Sequence, residues 1–542
     1  MLMQPLGWAQ TSHYALVRAL GHGTPVIDRY HWETRDKSYY KGHFYAVKGP
    51  GLAFLTLPPY ELLNAIGGQG ASRWAARRSR KEAAGRWSAG AHLPDPLYGQ
   101  DLARAIRVRK TIESETGMVW ALGLLGVVLP AALLLMLVRA CAERIEPGYG
   151  TAAAVTLGLG TLLLPFSTLF FSHVLAALLG FAAFALLWHE REGPQRLALV
   201  AGAGALSGLA VTTEYPLAIV GAIVGAYAIA RAGWLRRGVA YTAGVAAGIA
   251  PLVAYNLWAF GTLSHNTYAD AVKVQGKSGH AVLGLNGGGF FGIGPPSPHV
   301  ALELLLSPRG LLVLSPVLVA GAIGTVLLHR RGKRAEALVI GAVALAFLVY
   351  NSGYYLPMGG GSPGPRFLIP ILPFLGVPLA IAYRRFPAAT LALAVPSVAT
   401  MLAATTTQPL LANDGTGYWG HVVGIASFEH TVATLAGAGN GWGGVVPLIA
   451  AFALAVGLAV SVTPRRPLSR GALTATVALA IWIGAALTAP WLGHEGARAY
   501  PSARLLLVLV PAGCTLALLA AIAVSERLPL LGRAPAPLAE RR

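Results

Sequence analysis

The densest group of polar side chains lies between residues 28 and 51, in the run DRYHWETRDKSYYKGHFYAVKGPG. Five of these side chains could take part in catalysis or binding: Asp28, Asp36, His43, Tyr45 and Lys48. Either aspartate could act as a general base, the lysine and the histidine could hold a phosphate, and the tyrosine offers a sugar both a ring face and a hydroxyl group. The alternative is a solvated loop without a site. The apolar segment 51–67 favours a site, because it presses the cluster against a membrane surface.

Two further candidates lie at the ends of apolar runs. Glu214, in the sequence TTEYP, could belong to a functional site, since acids at a membrane interface are usually functional, although it could also simply face water. Arg366 follows GGGSPGP and opens an apolar run, where its charge opposes the helix dipole. A bound phosphate would offset that cost, although the side chain could instead reach the lipid headgroups. His173, in FFSH, is expected to be a structural hydrogen-bonding residue.

Nucleotide-binding and metal-binding motifs do not appear in the required context, and no GxGxxG follows an expected strand and opens a helix. The sequence contains no GxxxxGK[ST], HExxH or CxxC motif, and the glycine-rich run 286–290 falls in an expected external loop, where ATP is not present. We therefore expect neither a metal nor a cofactor, and an ATP-driven pump is disfavoured. The two cysteines, Cys141 and Cys514, lie far apart in different apolar runs and predict no disulfide framework.

Composition places the chain in a membrane. Of its 542 residues, 55% are hydrophobic and only 12% are charged, which is too few to cover the surface of a soluble protein. The formal charge of +20 comes from short basic clusters between apolar runs, which is a topology signal rather than a nucleic-acid interface. We expect an all-α polytopic membrane protein with about 13 transmembrane helices and no nucleic-acid partner. The predicted spans are 117–138, 150–168, 170–188, 197–213, 216–232, 239–258, 310–328, 336–352, 367–383, 387–405, 445–463, 471–489 and 504–524.

The basic residues also predict which ends of the helices face the cytoplasm. Short arginine-rich connections such as 139–149, 330–334 and 384–385 alternate with longer connections that contain few basic residues. We assign the first set to the cytoplasm and the second set to the outside of a multi-pass plasma-membrane protein. No apolar segment precedes residue 10, so we expect either a further helix upstream of this sequence or a first helix that inserts with its N-terminus outside.

This topology predicts three regions. Residues 1–116 form a large external loop with helices along the membrane, 117–405 form a transmembrane core of catalytic type with an external loop at 259–309, and 406–542 form C-terminal transmembrane helices and a cytoplasmic tail. Segment 51–67 contains two prolines and is expected to be interfacial or re-entrant. The run 73–86, RWAARRSRKEAAGR, is expected to be a basic surface helix that faces either lipid headgroups or solvent.

Several motifs together resemble the type C glycosyltransferase superfamily, which includes the protein O-mannosyltransferases and the lipid A aminoarabinose transferases. The first two segments resemble that family's first external loop, and the others are similar to uncharacterised bacterial members. The segments are QTSHYAL at 10–16, GHFYAVKGPG at 42–51, LPFST at 164–168, YN at 255–256 with FG at 260–261, SPRG at 307–310 and GPRF at 364–367. Together they cover roughly residues 8–385.

The resemblance implies transfer of a sugar, usually with inversion, from a polyprenyl-phosphate donor to an acceptor hydroxyl group on the external face. The family uses an acidic residue of the first external loop as its base, but Gln10 and Thr11 stand at the matching positions here. Glutamine cannot accept a proton, so we expect Asp36, or else Asp28, to have taken over the role. If neither has, this chain does not catalyse the usual reaction.

The resemblance also gives the remaining candidates a role. His43, Lys48 and Arg366 would hold the donor phosphate, and Glu214 would orient the donor or acceptor sugar. The expected partners are therefore a polyprenyl-phosphate-linked sugar and membrane lipids. The alternative function is a transporter or a flippase for a lipid-linked glycan. The few charges within the spans and the large polar external loop favour the enzyme.

Overall fold

The computed structural model describes residues 2–3, 6–82, 102–268, 273–274, 277–278, 293–407, 409–410, 417–426, 428–464, 468, 471–489 and 504–527. These residues are predominantly helical. The strands among them form three short antiparallel pairs: Leu2–Met3 with His430–Thr431, Lys37–Tyr40 with His43–Ala46, and Lys273–Val274 with Lys277–Ser278. The observed architecture agrees with the expected all-α membrane protein.

Six helices are long and apolar enough to cross a membrane by themselves. They are Ile106–Ile145, His173–Arg191, Trp234–Phe260, Arg334–Ser352, Pro387–Thr407 and Trp442–Val462. Two bent pairs raise the number to eight if each pair is one span: Pro298–Leu314 with Val317–Arg330, and Arg366–Gly376 with Leu379–Arg385. The described residues therefore support six to eight spans, and the predicted number of thirteen is not confirmed.

Shorter apolar helices account for the difference. Four helices of 10–17 residues correspond to predicted spans: Gly150–Gly160, Leu197–Thr213, Tyr215–Ile229 and Ala472–Thr488. A fifth apolar segment, Val508–Ala520, is part of the helix Arg504–Arg527. The first of the four helices shows the physical reason. Its predicted span continues to residue 168, but the backbone becomes extended at Thr161, and the short helix Leu163–Phe166 follows. This run, which contains Gly158, Gly160 and Pro165, therefore breaks before its helix reaches the length of a bilayer crossing.

Helices and one hairpin form the region before the first span. The helix Trp8–Gly21 comes first, followed by a short 3-10 turn at His31–Glu33 and the hairpin of strands Lys37–Tyr40 and His43–Ala46. The helix Gly51–Ala65 contains both prolines, and Gly68–Glu82 covers most of the expected basic helix, of which residues 83–86 lie outside the described part. A helix then runs from Leu102 to Gly123 and continues through a π-helical turn, so the predicted boundary at residue 116 falls inside it.

The remaining helices complete the description of the fold. Several of them belong to the bent pairs or to the connections between spans. Their bounds are Leu129–Ile145, Ala218–Ile229, Pro298–Leu306, Leu311–Leu314, Leu372–Gly376, Gly417–Trp419 and Arg504–Arg527, with 3-10 turns at Tyr215–Leu217 and Arg366–Ile371 and π-helical turns at Leu124–Val128, Gly420–Ile425 and Thr434–Ala438.

Ion pairs join the arginine-rich connections to one another. Glu146 accepts hydrogen bonds from Arg331 and, at 2.6 Å, from Arg384. Glu192 lies 3.0 Å from Lys333 and 3.8 Å from Arg144. Connections far apart in sequence therefore meet on one face of the molecule, as the charge bias predicts for a common cytoplasmic side.

Cysteine labelling tests which face is external. We expect Tyr39→Cys, in a chain with both native cysteines replaced, to react with a membrane-impermeant maleimide in intact cells, because Tyr39 is exposed on the hairpin. His329→Cys, at the exposed end of the helix Val317–Arg330, should react only after the membrane is permeabilised. The opposite labelling pattern would reverse the predicted orientation.

Candidate functional site

A buried helix fixes the position of Asp36. Every side chain from Ala9 to Leu20 in the helix Trp8–Gly21 is buried, although several of them are polar. The Ser12 hydroxyl donates to the backbone carbonyl of Asp36 at 2.5 Å, and the Thr34 hydroxyl donates to the carbonyl of Trp8 at 2.7 Å. The segment that enters the hairpin is therefore held against this helix by hydrogen bonds at two points.

The hairpin brings Asp36 beside Lys48. Its register pairs Lys37 with Ala46, so the residues just outside the two strands lie at the same end. The Lys48 ammonium group is 3.4 Å from Asp36 Oδ2 and donates to the Tyr268 hydroxyl at 3.4 Å. The side chains of Lys48 and Asp36 are only 12% and 16% exposed. An acid and a cation are thus held together in a sheltered position.

Two glycines let the segment after Lys48 lie directly on the backbone that leads to Glu214. A Cβ atom at Gly49 would lie 2.8 Å from the Thr212 carbonyl oxygen and 2.9 Å from that of Thr213. At Gly51 a Cβ atom would overlap the Thr213 side chain. This close backbone approach requires glycine and brings the Lys48 segment up to Glu214.

Glu214 is surrounded by hydrogen-bond donors. Its Oε1 accepts from the Ser172 hydroxyl and lies 3.1 Å from Nδ1 of His173. Ser172 Oγ also lies 3.2 Å from Nε2 of His13. Burial by itself raises the pKa of Glu214, but the His173 ring, the Ser172 hydroxyl and the Lys48 charge together hold the pKa below its ordinary value. Glu214 is therefore an anion at neutral pH.

Three buried polar atoms around this network have no hydrogen-bond partner in the described part of the chain: His13 Nδ1, His173 Nε2 and Arg366 Nε. Burial lowers the pKa of His13 to about 3, so the ring is neutral at pH 7. A buried polar group without a partner carries a desolvation cost. Such a cluster is typical of a site that a polar ligand completes.

A glycine loop places the side chain of Arg366. Its guanidinium carbon lies 5.3 Å from the ring centre of Phe171, and that ring stacks on His173 at 5.7 Å. Gly359 adopts φ +74°, and a Cβ atom there would lie 2.6 Å from Cγ of Arg366. Arg309 donates to the carbonyl oxygens of Gly360 and, at 2.6 Å, of Ser362 in the same loop. Arg309 therefore holds the loop from a neighbouring segment, and Gly359 leaves room for the Arg366 side chain.

The hairpin separates the other sequence candidates from this site. Asp28 accepts from the backbone N–H of Phe44 at 2.6 Å and lies 2.7 Å from Nδ1 of His43. Asp28 and His43 are 39% and 55% exposed, near the hairpin tip. His43 begins the second strand, whereas Lys48 lies beyond its other end at Ala46. The Tyr45 ring is buried and lies 4.7 Å from the ring of Phe260.

The structure thus brings Asp36, Lys48 and Glu214 to one site, links Arg366 to it through aromatic rings, and leaves Asp28 and His43 outside. Sequence reasoning missed His13, Ser172 and Tyr268. His13 lies one turn beyond Gln10 on the same helix, although the acidic residue of the family was expected at position 10. His173, expected to be structural, does bind Glu214, and it also has an unpartnered nitrogen.

An apolar cavity of about 200 Å³ lies beside this network. Its lining includes Gln10, Trp120, Leu124, Phe170 and Phe452. The Phe170 ring contacts the His13 ring edge-on, with 6.4 Å between the ring centres. The cavity therefore adjoins the polar site at the Phe170 side chain.

The described residues contain no group of three or more His, Cys, Asp or Glu side chains that could hold a metal ion. The expectation that the site uses no metal stays a prediction. The chemistry available from the described side chains is acid–base catalysis and the binding of an anion.

Gly49→Ala tests the close approach. We expect the free energy of unfolding to fall by about 1–3 kcal/mol, because the new methyl group would press on two backbone carbonyl groups that cannot turn away. Gly70→Ala is the matched control, since a Cβ atom there meets nothing within 4 Å. Thermal unfolding of the purified variants measures the difference. Equal destabilisation of both variants would contradict the assigned packing.

No protein-family model matches the sequence, and no curated protein or solved structure matches it either.

Proposed function

We propose that the chain is a membrane glycosyltransferase that moves a sugar from a polyprenyl-phosphate donor to an acceptor hydroxyl group outside the cell. The observation that carries the proposal is the sheltered Asp36–Lys48 pair, held beside anionic Glu214. A transferase of this type needs a base, cations for a leaving phosphate and groups that orient a sugar. The resemblance of the motifs to the type C superfamily supports the same proposed activity.

Each residue of the site takes a defined role in the proposed reaction. The Asp36 carboxylate removes the proton of the acceptor hydroxyl group as its oxygen forms a bond to the anomeric carbon. The bond from that carbon to the phosphate oxygen breaks on the opposite face, so the configuration inverts. The polyprenyl phosphate leaves with the electron pair, and Lys48 and Arg366 stabilise its negative charge.

The unpartnered atoms fit a sugar and a phosphate. Because Ser172 donates to Glu214, Ser172 Oγ can accept a hydrogen bond from Nε2–H of His13, which leaves Nδ1 of that ring as an acceptor. His173 donates through Nδ1 in the same way and keeps a bare Nε2. Two nitrogen acceptors suit sugar hydroxyl groups, whereas Arg366 Nε–H suits a phosphate oxygen. The apolar cavity beside His13 would accept part of the isoprenoid chain.

We further propose that the five shorter apolar segments also cross the membrane and complete thirteen spans in the plasma membrane. Neighbouring pairs among them, such as Leu197–Thr213 and Tyr215–Ile229, are joined directly at Glu214. A short helix spans if the bilayer thins locally or its flanking residues reach the interface. Under this proposal Glu214 lies at the external membrane surface, with Asp36.

The test is an assay of the purified chain in lipid nanodiscs. Radiolabelled polyprenyl-phosphate hexoses and pentoses are supplied with a panel of hydroxyl acceptors, and transfer of label is measured. We expect label to leave the lipid only when the site is intact, with polyprenyl phosphate as the second product. If reconstituted protein moves the lipid-linked sugar across the bilayer without cleaving it, the flippase alternative replaces this proposal.

A further inference from the structure

Five arginines gather on the face of the molecule that carries the short basic connections. Three follow or end the helix Val317–Arg330, and two end the helix Leu379–Arg385. The members are Arg330, Arg331, Arg334, Arg384 and Arg385, here called the arginine cluster. All five side chains are exposed, and both helices belong to segments apolar enough to cross a membrane. The cluster therefore lies where the chain leaves the bilayer.

One buried carboxylate draws two members together. Glu146 has no exposed side-chain surface and accepts hydrogen bonds from Nη1 of Arg331 and, at 2.6 Å, from Nη1 of Arg384. These two side chains remain 41% and 51% exposed on their other sides. One negative charge cannot balance five positive charges, so the cluster keeps a large positive excess.

The charges of other cluster members affect the pKa of Arg331. Partial burial, followed by the nearby charges of Arg384 and Arg385, lowers the pKa of Arg331. An anion bound at the exposed side would relieve the repulsion between these charges. Guanidinium groups bind phosphate through two parallel hydrogen bonds and suit this purpose better than lysine.

We propose that the arginine cluster binds the phosphate groups of anionic phospholipids in the leaflet that it faces, with preference for a headgroup that carries two phosphates. Basic pockets between transmembrane helices on the cytoplasmic side are suited to such headgroups. Two separate helix ends supply the guanidinium groups, so two phosphates can be held at once. This inference does not depend on the proposed glycosyltransferase activity.

The ion pairs to Glu146 determine which variant is informative. Arg384→Gln would leave a buried carboxylate short of a partner and could unfold the protein. Arg330→Gln/Arg385→Gln removes two cluster charges and keeps both contacts to Glu146. The matched control is Arg236→Gln, which removes an exposed arginine from the first turns of the helix Trp234–Phe260, outside the cluster. Thermal unfolding in detergent checks that all three proteins fold.

Native mass spectrometry of the full chain, titrated with cardiolipin, phosphatidylglycerol, phosphatidylcholine or inorganic phosphate, tests the proposal. We expect cardiolipin to bind best and phosphatidylcholine least, and the double variant to lose about fivefold in cardiolipin affinity for each arginine removed. The control should bind as the parent does. Equal binding of all three lipids, or an unchanged affinity in the double variant, would overturn the proposal. Inorganic phosphate binding without lipid preference would show a free-anion site instead.

Discussion

Asp36→Asn should lower the rate of sugar transfer by about 100- to 10,000-fold, which is the usual cost of losing a general base. Asparagine keeps the size of the side chain but cannot accept the acceptor's proton. The Ser12 bond is unaffected, because it goes to the backbone carbonyl of residue 36. Asparagine still offers Lys48 a hydrogen-bond acceptor, so donor binding should change much less than the chemical step. Single-turnover kinetics with a saturating lipid-linked donor separates the chemical step from binding.

Asp28→Asn is the comparison that gives this result its meaning. It makes the same chemical change in the same polar segment 28–51, but at a more exposed aspartate paired with His43. We expect its transfer rate to stay near that of the parent. Loss of transfer in Asp28→Asn with full turnover in Asp36→Asn would move the base to Asp28. Full turnover in both variants would remove the hairpin carboxylates from the mechanism.

The sequence predicts the local elements of this fold well, because apolar runs between charged connections are a strong signal. The helix Leu197–Thr213 matches its prediction at both ends, and Arg334–Ser352 begins two residues early. The length of helices is harder to predict. Hydropathy averages over a run and does not record the position of a break such as that at Thr161 or of the bend between Leu314 and Val317.

The site shows the same division between local and tertiary information. A count of sequence distance along 28–51 cannot tell Asp28 from Asp36, since both lie in one polar loop. The hairpin register separates their positions, because it places Asp36 at the end where Lys48 leaves the second strand. The close approach of Gly49 to Thr212 then joins segments more than 160 residues apart. No periodicity in the sequence encodes that contact, although the KGPG motif indicates an unusual backbone.

His13 illustrates a signal that could have been used. The polar run Gln10–His13 lies on the helix Trp8–Gly21, and all four of its side chains are buried. Buried polar side chains need partners, so such a run predicts a polar network or a ligand site. The partner itself, Ser172, comes from a turn 159 residues away and can be found only in the folded chain.

Arg366→Gln should reduce kcat/KM for the lipid-linked donor by about 30-fold, since a hydrogen bond to a charged group contributes about 2 kcal/mol. The glutamine side chain is neutral and shorter, so the phosphate would lose both a charge and a bidentate partner. Arg366→Lys should recover only part of the loss, because lysine keeps the charge without the fork of donors. Arg236→Gln, an exposed arginine away from the site, serves as the control and should leave kcat/KM unchanged.

Because Arg366 stabilises the leaving phosphate, its loss should also lower kcat, most strongly for donors with poor leaving groups. If KM and kcat both stay at the parent values in Arg366→Gln, the arginine only reaches toward lipid headgroups, and Lys48 alone holds the phosphate.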